Sequence, residues 1–247
     1  MEPALLFLKE IKMKKLNFNL SKDFQVNFAY NTNAIEGNPL QKAQVEKLWE
    51  KKRLQVKSTG HEGLDMLRQL ELDNASAEIT NHFKCVDYVV STLSEPLTEK
   101  WLFKLHGILL KNTKNSGKDW YTVGGYKTVP NMVGGRITAL PKEVKSLMDN
   151  LLNEYDENRM TLHDIAIFHC RYERIHPFID GNGRTGRLVM FRQCIRNSIS
   201  PFIVEYATRA RYYKSLANFP SEESVHQMIS YFNELQEKFK QIVQERS

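Results

Sequence analysis

Between His176 and Arg187 the chain reads HPFIDGNGRTGR, a run that holds most of the side-chain types needed to handle a phosphate. Gly181, Gly183 and Gly186 are three of the twelve glycines and fall within six positions. Glycines at 181 and 183 let the amides around Asn182 turn inward into a concave, anion-binding nest. A helix expected to start near Arg184 adds free N–H groups and the positive end of its dipole. Arg184 and Arg187 leave its first turn on neighbouring faces, with planar forks that match phosphate oxygens. Asp180 is a hard oxygen ligand of the kind that holds Mg²⁺ jointly with phosphates. His176, just before Pro177, could supply a base. A Gly-Asn-Gly run is also a common turn, and arginines after a turn also cap or solvate a helix, so spacing alone leaves both readings open. The pattern is not a P-loop, because GxxxxGKS/T occurs nowhere. His163, His169 and His176 lack the i, i+4 step of a zinc-protease helix, and the first two read as ordinary helix residues.

The elements that must position this run are mostly α-helical. Val144, Leu147, Met148, Leu151, Leu152 and Tyr155 recur at three- and four-residue steps after Pro141, which predicts one buried stripe. Thr161 with Asp164 predicts a capping box, followed by Ile165, Phe168 and Tyr172 along one face. Leu188, Phe191, Arg192 and Ile195 follow the glycine run, and Val225 to Ile242 mark a long final helix at about 221–244. Earlier helices are expected at Lys22–Ile35, Pro39 to about Gln55, Ala75–Ser91 and Thr98–Leu110. Between Lys111 and Leu140 the helical rhythm stops. Val123, Tyr126, Thr128, Val129, Val133, Ile137 and Thr138 are strand formers around Asn131 and the Gly134-Gly135 pair, which predicts a β-hairpin flap at about 120–140. Neither a repeat nor a linker is visible, so one domain over 1–247 is expected.

Composition sets outer bounds. Hydrophobic residues at 41% and charged residues at 26% describe an ordinary globular chain. Cys85, Cys170 and Cys194 are unclustered and odd in number, which argues against a disulfide framework and for a reducing cytoplasm. The apolar run Ala4–Leu8 is cut off by Lys9 and Glu10, too short for a secretory signal, and no stretch approaches a membrane span. The net charge of +6 is spread along amphipathic segments, densest at Lys51-Lys52-Arg53, so nucleic acid is not the expected partner.

HPFIDGNGRTGR resembles the signature HxFx(D/E)GNGRxxR of Fic (Fido) domain protein adenylyltransferases, matched at all eight defined positions. The likeness extends more loosely over about residues 20–215, with a catalytic core at about 98–217. It implies a helical core whose signature loop joins two helices beneath a β-hairpin flap. It also implies transfer of AMP from ATP to a Ser, Thr or Tyr hydroxyl of a target protein, which could include the chain itself. His176 would be the general base and Asp180 would hold Mg²⁺. Gly181, Asn182 and Gly183 would form the anion hole, with Arg184 on the β-phosphate and Arg187 on the γ-phosphate. Phe178 matches a buried aromatic anchor. GGYKT, Gly124–Thr128, resembles a segment usually written GxYR, with Lys127 in place of arginine. The flap tip from Asn131 through Met132, Val133 and Gly134 to Ile137 would pair with an extended target segment. Tyr213 matches a position near the adenine pocket; a core tyrosine is the other reading.

Thr32-Asn33-Ala34-Ile35-Glu36-Gly37-Asn38 reads locally as a helix end, with Gly37 as a left-handed cap. Beside the signature it resembles the family's inhibitory motif (S/T)xxxE(G/N), in the class where the inhibitory helix (here about 22–37) precedes the core. That resemblance implies that Glu36 pairs with Arg187 and withholds it from ATP. Removal of AMP from a modified target, a donor other than ATP, and a non-catalytic protein-binding module are the alternative readings. The last helix could also pair chains into a homo-oligomer.

Overall fold

Proline at the first position of a helix, a Thr-x-x-Asp capping box and a threonine N-cap mark three helix starts in this chain. All three are found, at Pro141, Thr161 and Thr98. The computed structural model describes residues 18–245 except 53, 56 and 58, so the run Ala4–Leu8 and Arg53 lie outside it. In chain order the elements are α1 (Phe18–Ile35), α2 (Lys42–Trp49), α3 (Glu62–Ser91), α4 (Glu99–Leu109), β1 (Met132–Val133) and β2 (Arg136–Ile137). They continue with α5 (Pro141–Glu154), α6 (Leu162–Ile175), α7 (Asn182–Arg196), a 3₁₀ turn (Tyr206–Thr208), α8 (Arg209–Asn218) and α9 (Glu222–Glu245). The fold is mostly α with one small antiparallel hairpin. Among the described residues no helix is long and apolar enough to cross a membrane.

Helix α7 is the axis of the molecule. Every residue from Asn182 to Ile195 is buried, and α1, α3, α4 and α6 pack around it. Phe191 of α7 stacks on Phe24 at 5.0 Å and meets Phe28 edge-on at 5.5 Å, fastening α1 to it. Arg192 is fully buried because Glu157 pairs with it and the Trp101 face lies 4.9 Å from its guanidinium. A smaller core of Val26, Ala29, Leu40, Val45, Ile79 and Phe83 joins α1, α2 and α3. Helix α1 serves both cores, with Phe24 and Phe28 facing one and Val26 and Ala29 the other.

Three helices differ in extent from the sequence reading, and the first of them, α1, starts at Phe18 rather than Lys22. Helix α2 covers Lys42–Trp49 rather than Pro39 to Gln55, since Gln41 is extended and Lys51 has φ 60°. Helix α3 starts at Glu62 rather than Ala75. Its first turns leave Leu64, Met66, Leu67 and Leu70 exposed, so they form no buried stripe for a periodicity argument to find.

The flap is smaller than its strand formers suggest. Met132 pairs with Ile137 and Val133 with Arg136. Gly134 and Gly135 turn between them with φ of 55° and 77°, the two positive values a two-residue hairpin needs. Val123, Tyr126, Thr128 and Val129 form no strand. Gly124, at φ 71°, runs so close to α4 that a Cβ there would lie 3.2 Å from the Phe103 carbonyl oxygen.

Candidate active site

Helix α6 ends abruptly at His176, which takes the left-handed conformation (φ 53°, ψ 63°) as its C-cap. A histidine there is strained by about 1–2 kcal/mol, so neighbours must hold it. The His176 N–H donates to Tyr172 O at 2.9 Å, and Lys127 N–H donates to Pro177 O at 2.9 Å. Lys127 Nζ, buried, donates to Ile175 O, Asn131 Oδ1 and Thr138 Oγ1 at 3.4, 2.7 and 2.6 Å. Burial brings the Lys127 ammonium down to about 8. Thus Lys127 ties the base of the flap to the histidine turn.

The loop that follows is fixed from within. Phe178 is fully buried, and the His106 ring stacks on it at 3.9 Å. Asn182 Oδ1 accepts from Phe178 N–H and its Nδ2 donates back to Phe178 O, both at 2.8 Å. Asn131 Nδ2 donates to the same carbonyl at 2.9 Å. His106 Nδ1 accepts from Gly124 N–H at 2.9 Å, which leaves Nε2 to donate to Asp180 O at 3.0 Å. The Tyr121 hydroxyl donates to Asp180 Oδ2 at 2.6 Å, and Gly181 N–H to Oδ1 at 2.5 Å. Burial alone would raise the Asp180 pKa. Arg184, Tyr121 and the Gly181 amide outweigh it and hold the carboxyl below its ordinary value.

Asp180 is therefore an ionised carboxylate, and its side chain is 47% exposed. Among the described residues no group of three or more His, Cys, Asp or Glu could cage a metal. One exposed carboxylate beside an anion site suits Mg²⁺, which takes one or two carboxylates and completes its shell with water and phosphate oxygens.

The N–H groups in the first turn of α7 have no partner inside the helix, and an anion already lies against that turn. A Cβ on Gly183 would sit 2.3 Å from Glu36 Oε1, so a side chain there would have to displace the Glu36 carboxylate. The same Glu36 oxygen accepts from Arg187 NH2 at 2.6 Å. Thr32 takes two further bonds from that guanidinium, Oγ1 accepting from Nε at 2.6 Å and the carbonyl from NH2 at 3.1 Å. Glu36 is presented by the end of α1. Asn38 N–H donates to Asn33 O at 2.9 Å and Gly37 N–H to Ala34 O at 3.0 Å, with Gly37 at φ 89°. This is a Schellman cap, which needs a left-handed residue at Gly37. Arg184 NH1 donates to Asn33 Oδ1 at 3.4 Å, and the guanidinium lies 3.5 Å from Asp180 and 3.6 Å from Glu78.

The structure thus gathers His176, Asp180, Gly181, Asn182, Gly183, Arg184, Arg187, Thr32, Glu36 and Gly37 around one end of α7. Tyr213 is not a core residue: it is 44% exposed, with its hydroxyl donating to Ile35 O at 3.0 Å, while Tyr212 is the buried neighbour. In the flap, Met132, Val133 and Gly134 are exposed, whereas the Asn131 side chain turns inward to Lys127 and Phe178. His106, Tyr121 and Glu173 were not singled out by the sequence. His106 and Tyr121 lie 74 and 59 positions from Asp180, too far for any spacing rule to link them.

Comparison with known proteins finds matches to both the sequence and the fold. Residues 96–194 match the Fic/DOC family. The chain is 26% identical over 214 residues to a protein adenylyltransferase Fic of Drosophila willistoni, covering 85% of this chain and 39% of that protein. It is 27% identical over 216 residues to the Drosophila erecta protein of the same name, covering 85% and 40%. It therefore spans well under half the length of these curated relatives. A Fic-domain signaling protein from Bacteroides thetaiotaomicron superposes with TM-score 0.76 at 21% identity, covering 97% of this chain and 95% of that one. Fic-1 (residues 134–508) of C. elegans superposes with TM-score 0.72 at 21% identity, covering 99% and 71%. The signature loop, matched at every defined position, lies within the stretch 96–194 that matches the Fic/DOC family, and the helical fold with a flap beside it is the fold of the Fic-domain structures.

Proposed function

We propose that the chain is a nucleotidyltransferase that moves AMP from ATP onto a hydroxyl side chain of a target protein, and that Glu36 restrains it. The observation that carries the reading is the carboxylate of Glu36 seated between Gly183 and Arg187, an internal anion where a phosphate would bind. ATP is the donor named by the resemblance and suits a site with two arginines and a helix N-terminus.

His176 is placed to act as base. Burial, reinforced by the Lys127 charge, lowers its pKa to about 4, so the ring is neutral at physiological pH. Its Nδ1 lies 3.3 Å from Glu173 O. A hydrogen on Nδ1 directed there leaves the Nε2 lone pair free to take the proton of an incoming hydroxyl. The hydroxyl oxygen bonds to the α-phosphorus as the bond to pyrophosphate breaks, and the proton ends on Nε2. A positioned base contributes about 10²–10⁴ in rate. The amides of the α7 first turn with Arg184 and Arg187 stabilise the charge that develops. Asp180 would hold Mg²⁺ shared with the phosphates, which supplies charge neutralisation. Met132, Val133 and Ile137 on the flap would receive an extended target segment by strand addition.

In this arrangement Arg187 cannot serve Glu36 and a γ-phosphate together. A bias of about 1.4 kcal/mol lowers the competent population tenfold, which a charge-assisted pair can supply. The test uses α-labelled ATP with Mg²⁺ on the chain alone and in a cell lysate. Glu36→Gly should label more strongly than the unmodified chain, and Glu36→Gly/His176→Ala should not label. Equal labelling in the first two sinks the restraint. An absence of label in all three, with ATP bound, turns the reading to AMP removal or another donor.

A further inference from the structure

One turn before His176, α6 carries a second carboxylate that the transfer reaction as described leaves unused. The Glu173 side chain is only 12% exposed, and its Oε2 lies 3.8 Å from His176 Nδ1. Oε1 lies 3.9 Å from His169 Nε2, and that nitrogen is already engaged by the Tyr212 hydroxyl at 2.6 Å. Among the described residues Oε1 has no hydrogen-bond partner. The packing is nevertheless shaped around it, because a Cβ on Gly186 would sit 2.7 Å from that oxygen. A buried carboxyl without a donor costs free energy that a glutamine or an apolar residue would spare. It sits where it can act on one atom, the Nδ1 of the base, toward which its own backbone carbonyl also points at 3.3 Å.

We propose that Glu173 is a positioning residue for His176, its carboxylate holding the ring in the Nδ1–H form and offsetting the positive charge that appears when Nε2 accepts the hydroxyl proton. The inference rests on the transferase reading above. Glu173 exchanges no proton in the transfer itself. The O–H bond breaks, N–H forms at Nε2, the oxygen bonds to phosphorus and pyrophosphate leaves.

The charge state of Glu173 then matters. Burial, assisted by Glu36 and opposed by Arg187, pushes its pKa to about 8. Below that pH the carboxylic acid can donate to Nδ1, which favours the Nε2–H ring, and that form has no lone pair for the hydroxyl proton. Above it the carboxylate favours Nδ1–H, so transfer should rise with pH through this window. The groups facing the pair are His169, Cys170 and Tyr172 on α6, Tyr212 and Tyr213 on α8, Arg187 on α7, Glu36 at the end of α1, and Asp180 and Lys127 beside the histidine. Lys127, brought down to about 8 by burial, is the one whose titration could imitate that of Glu173.

The experiment follows the two His176 ring nitrogens by ¹⁵N-histidine NMR from neutral to alkaline pH, in the unmodified chain, Glu173→Gln and Lys127→Arg. The unmodified chain and Lys127→Arg should show an inflection toward Nδ1–H near the Glu173 pKa, and Glu173→Gln should not. In a Glu36→Gly background, where loss of the Glu36 charge moves the Glu173 window to lower pH, kcat for AMP transfer should rise about tenfold with pH through that lowered window, a modest share of what a positioned base contributes. Glu173→Gln should flatten that rise with KM for ATP unchanged, a split that lost packing alone would not give. An inflection and rate profile that survive in Glu173→Gln, or an inflection lost in Lys127→Arg, overturns the proposal. If Glu173→Gln does not fold, the unmodified chain and Lys127→Arg still decide it. Absence of transfer in Glu36→Gly defeats the transferase reading, while the NMR titration still decides the pair.

Discussion

The signature loop and the flap lie side by side and are built on opposite terms. In the loop, polar groups are used internally: Asn182 closes both hydrogen bonds to Phe178, and Asp180 is gripped through its carbonyl by His106 and through its carboxylate by Tyr121. In the flap, two residue pairs and one bond from Arg136 to Ala217 O hold a tip whose Met132 and Ile137 side chains are 63% and 64% exposed. Sites that stabilise developing charge gain from donors fixed in advance. A surface that receives another chain gains from free edges and uncommitted apolar area. Lys127 and Asn131 join the two regimes, since they tie the flap base to the histidine turn while the tip stays open.

If this contrast is right, the largest loss comes from inside the loop. Asn182→Ala removes the acceptor of one buried N–H and a donor to one carbonyl. That should cost about 2–4 kcal/mol in stability, from two lost bonds and one stranded group. A thermal melt coinciding with that of the parent would break the comparison at its firmer end.

Lys127→Met should cost less, about 1–3 kcal/mol, by leaving Asn131, Thr138 and Ile175 O each short of a partner. It also carries a pH signature. The folded pKa is about 8 against 10.5 for the free side chain, so between them the unfolded chain binds more protons. Stability of the parent should therefore rise with pH across that window relative to Lys127→Met. Denaturant midpoints of the two proteins that stay parallel over the window would show that burial does not hold the ammonium down.

The same contrast explains what could be read before the structure. The loop was legible because its chemistry is contiguous: twelve residues carry the base, the carboxylate, the nest and both arginines, and backbone sterics dictate where glycine must stand. The capping box at Thr161 and the Gly37 cap were legible for the same local reason. Tyr121 and His106 were not, because a tyrosine in a loop and a histidine in a buried helix acquire their meaning only from Asp180 brought beside them. The pairing of Glu36 with Arg187 came from family likeness; local rules gave only a helix end. Glu173 was missed because an isolated glutamate on an amphipathic helix reads as its solvated face, and only packing shows that it points inward.

The smallest effect belongs to the flap tip, and it separates docking from chemistry. Ile137 is exposed and makes its contact with the hairpin through the register pair with Met132. Replacing it by serine leaves that backbone pairing available and removes apolar area that faces outward, so stability should change by no more than about 0.5 kcal/mol. The target segment, however, would lose part of the surface it lies on. In a Glu36→Gly background, labelling of whichever lysate protein is modified should need about four- to fifteenfold more of that protein, the scale of one or two lost methylenes at about 0.8 kcal/mol each. The dependence on ATP concentration should stay where it was, since the side chain lies on the flap and the proposed phosphate site is at the end of α7. A shift in the ATP dependence would mean that the flap also shapes the nucleotide site. The division between a fixed loop and an open flap would then have to be redrawn at Lys127 rather than at Met132.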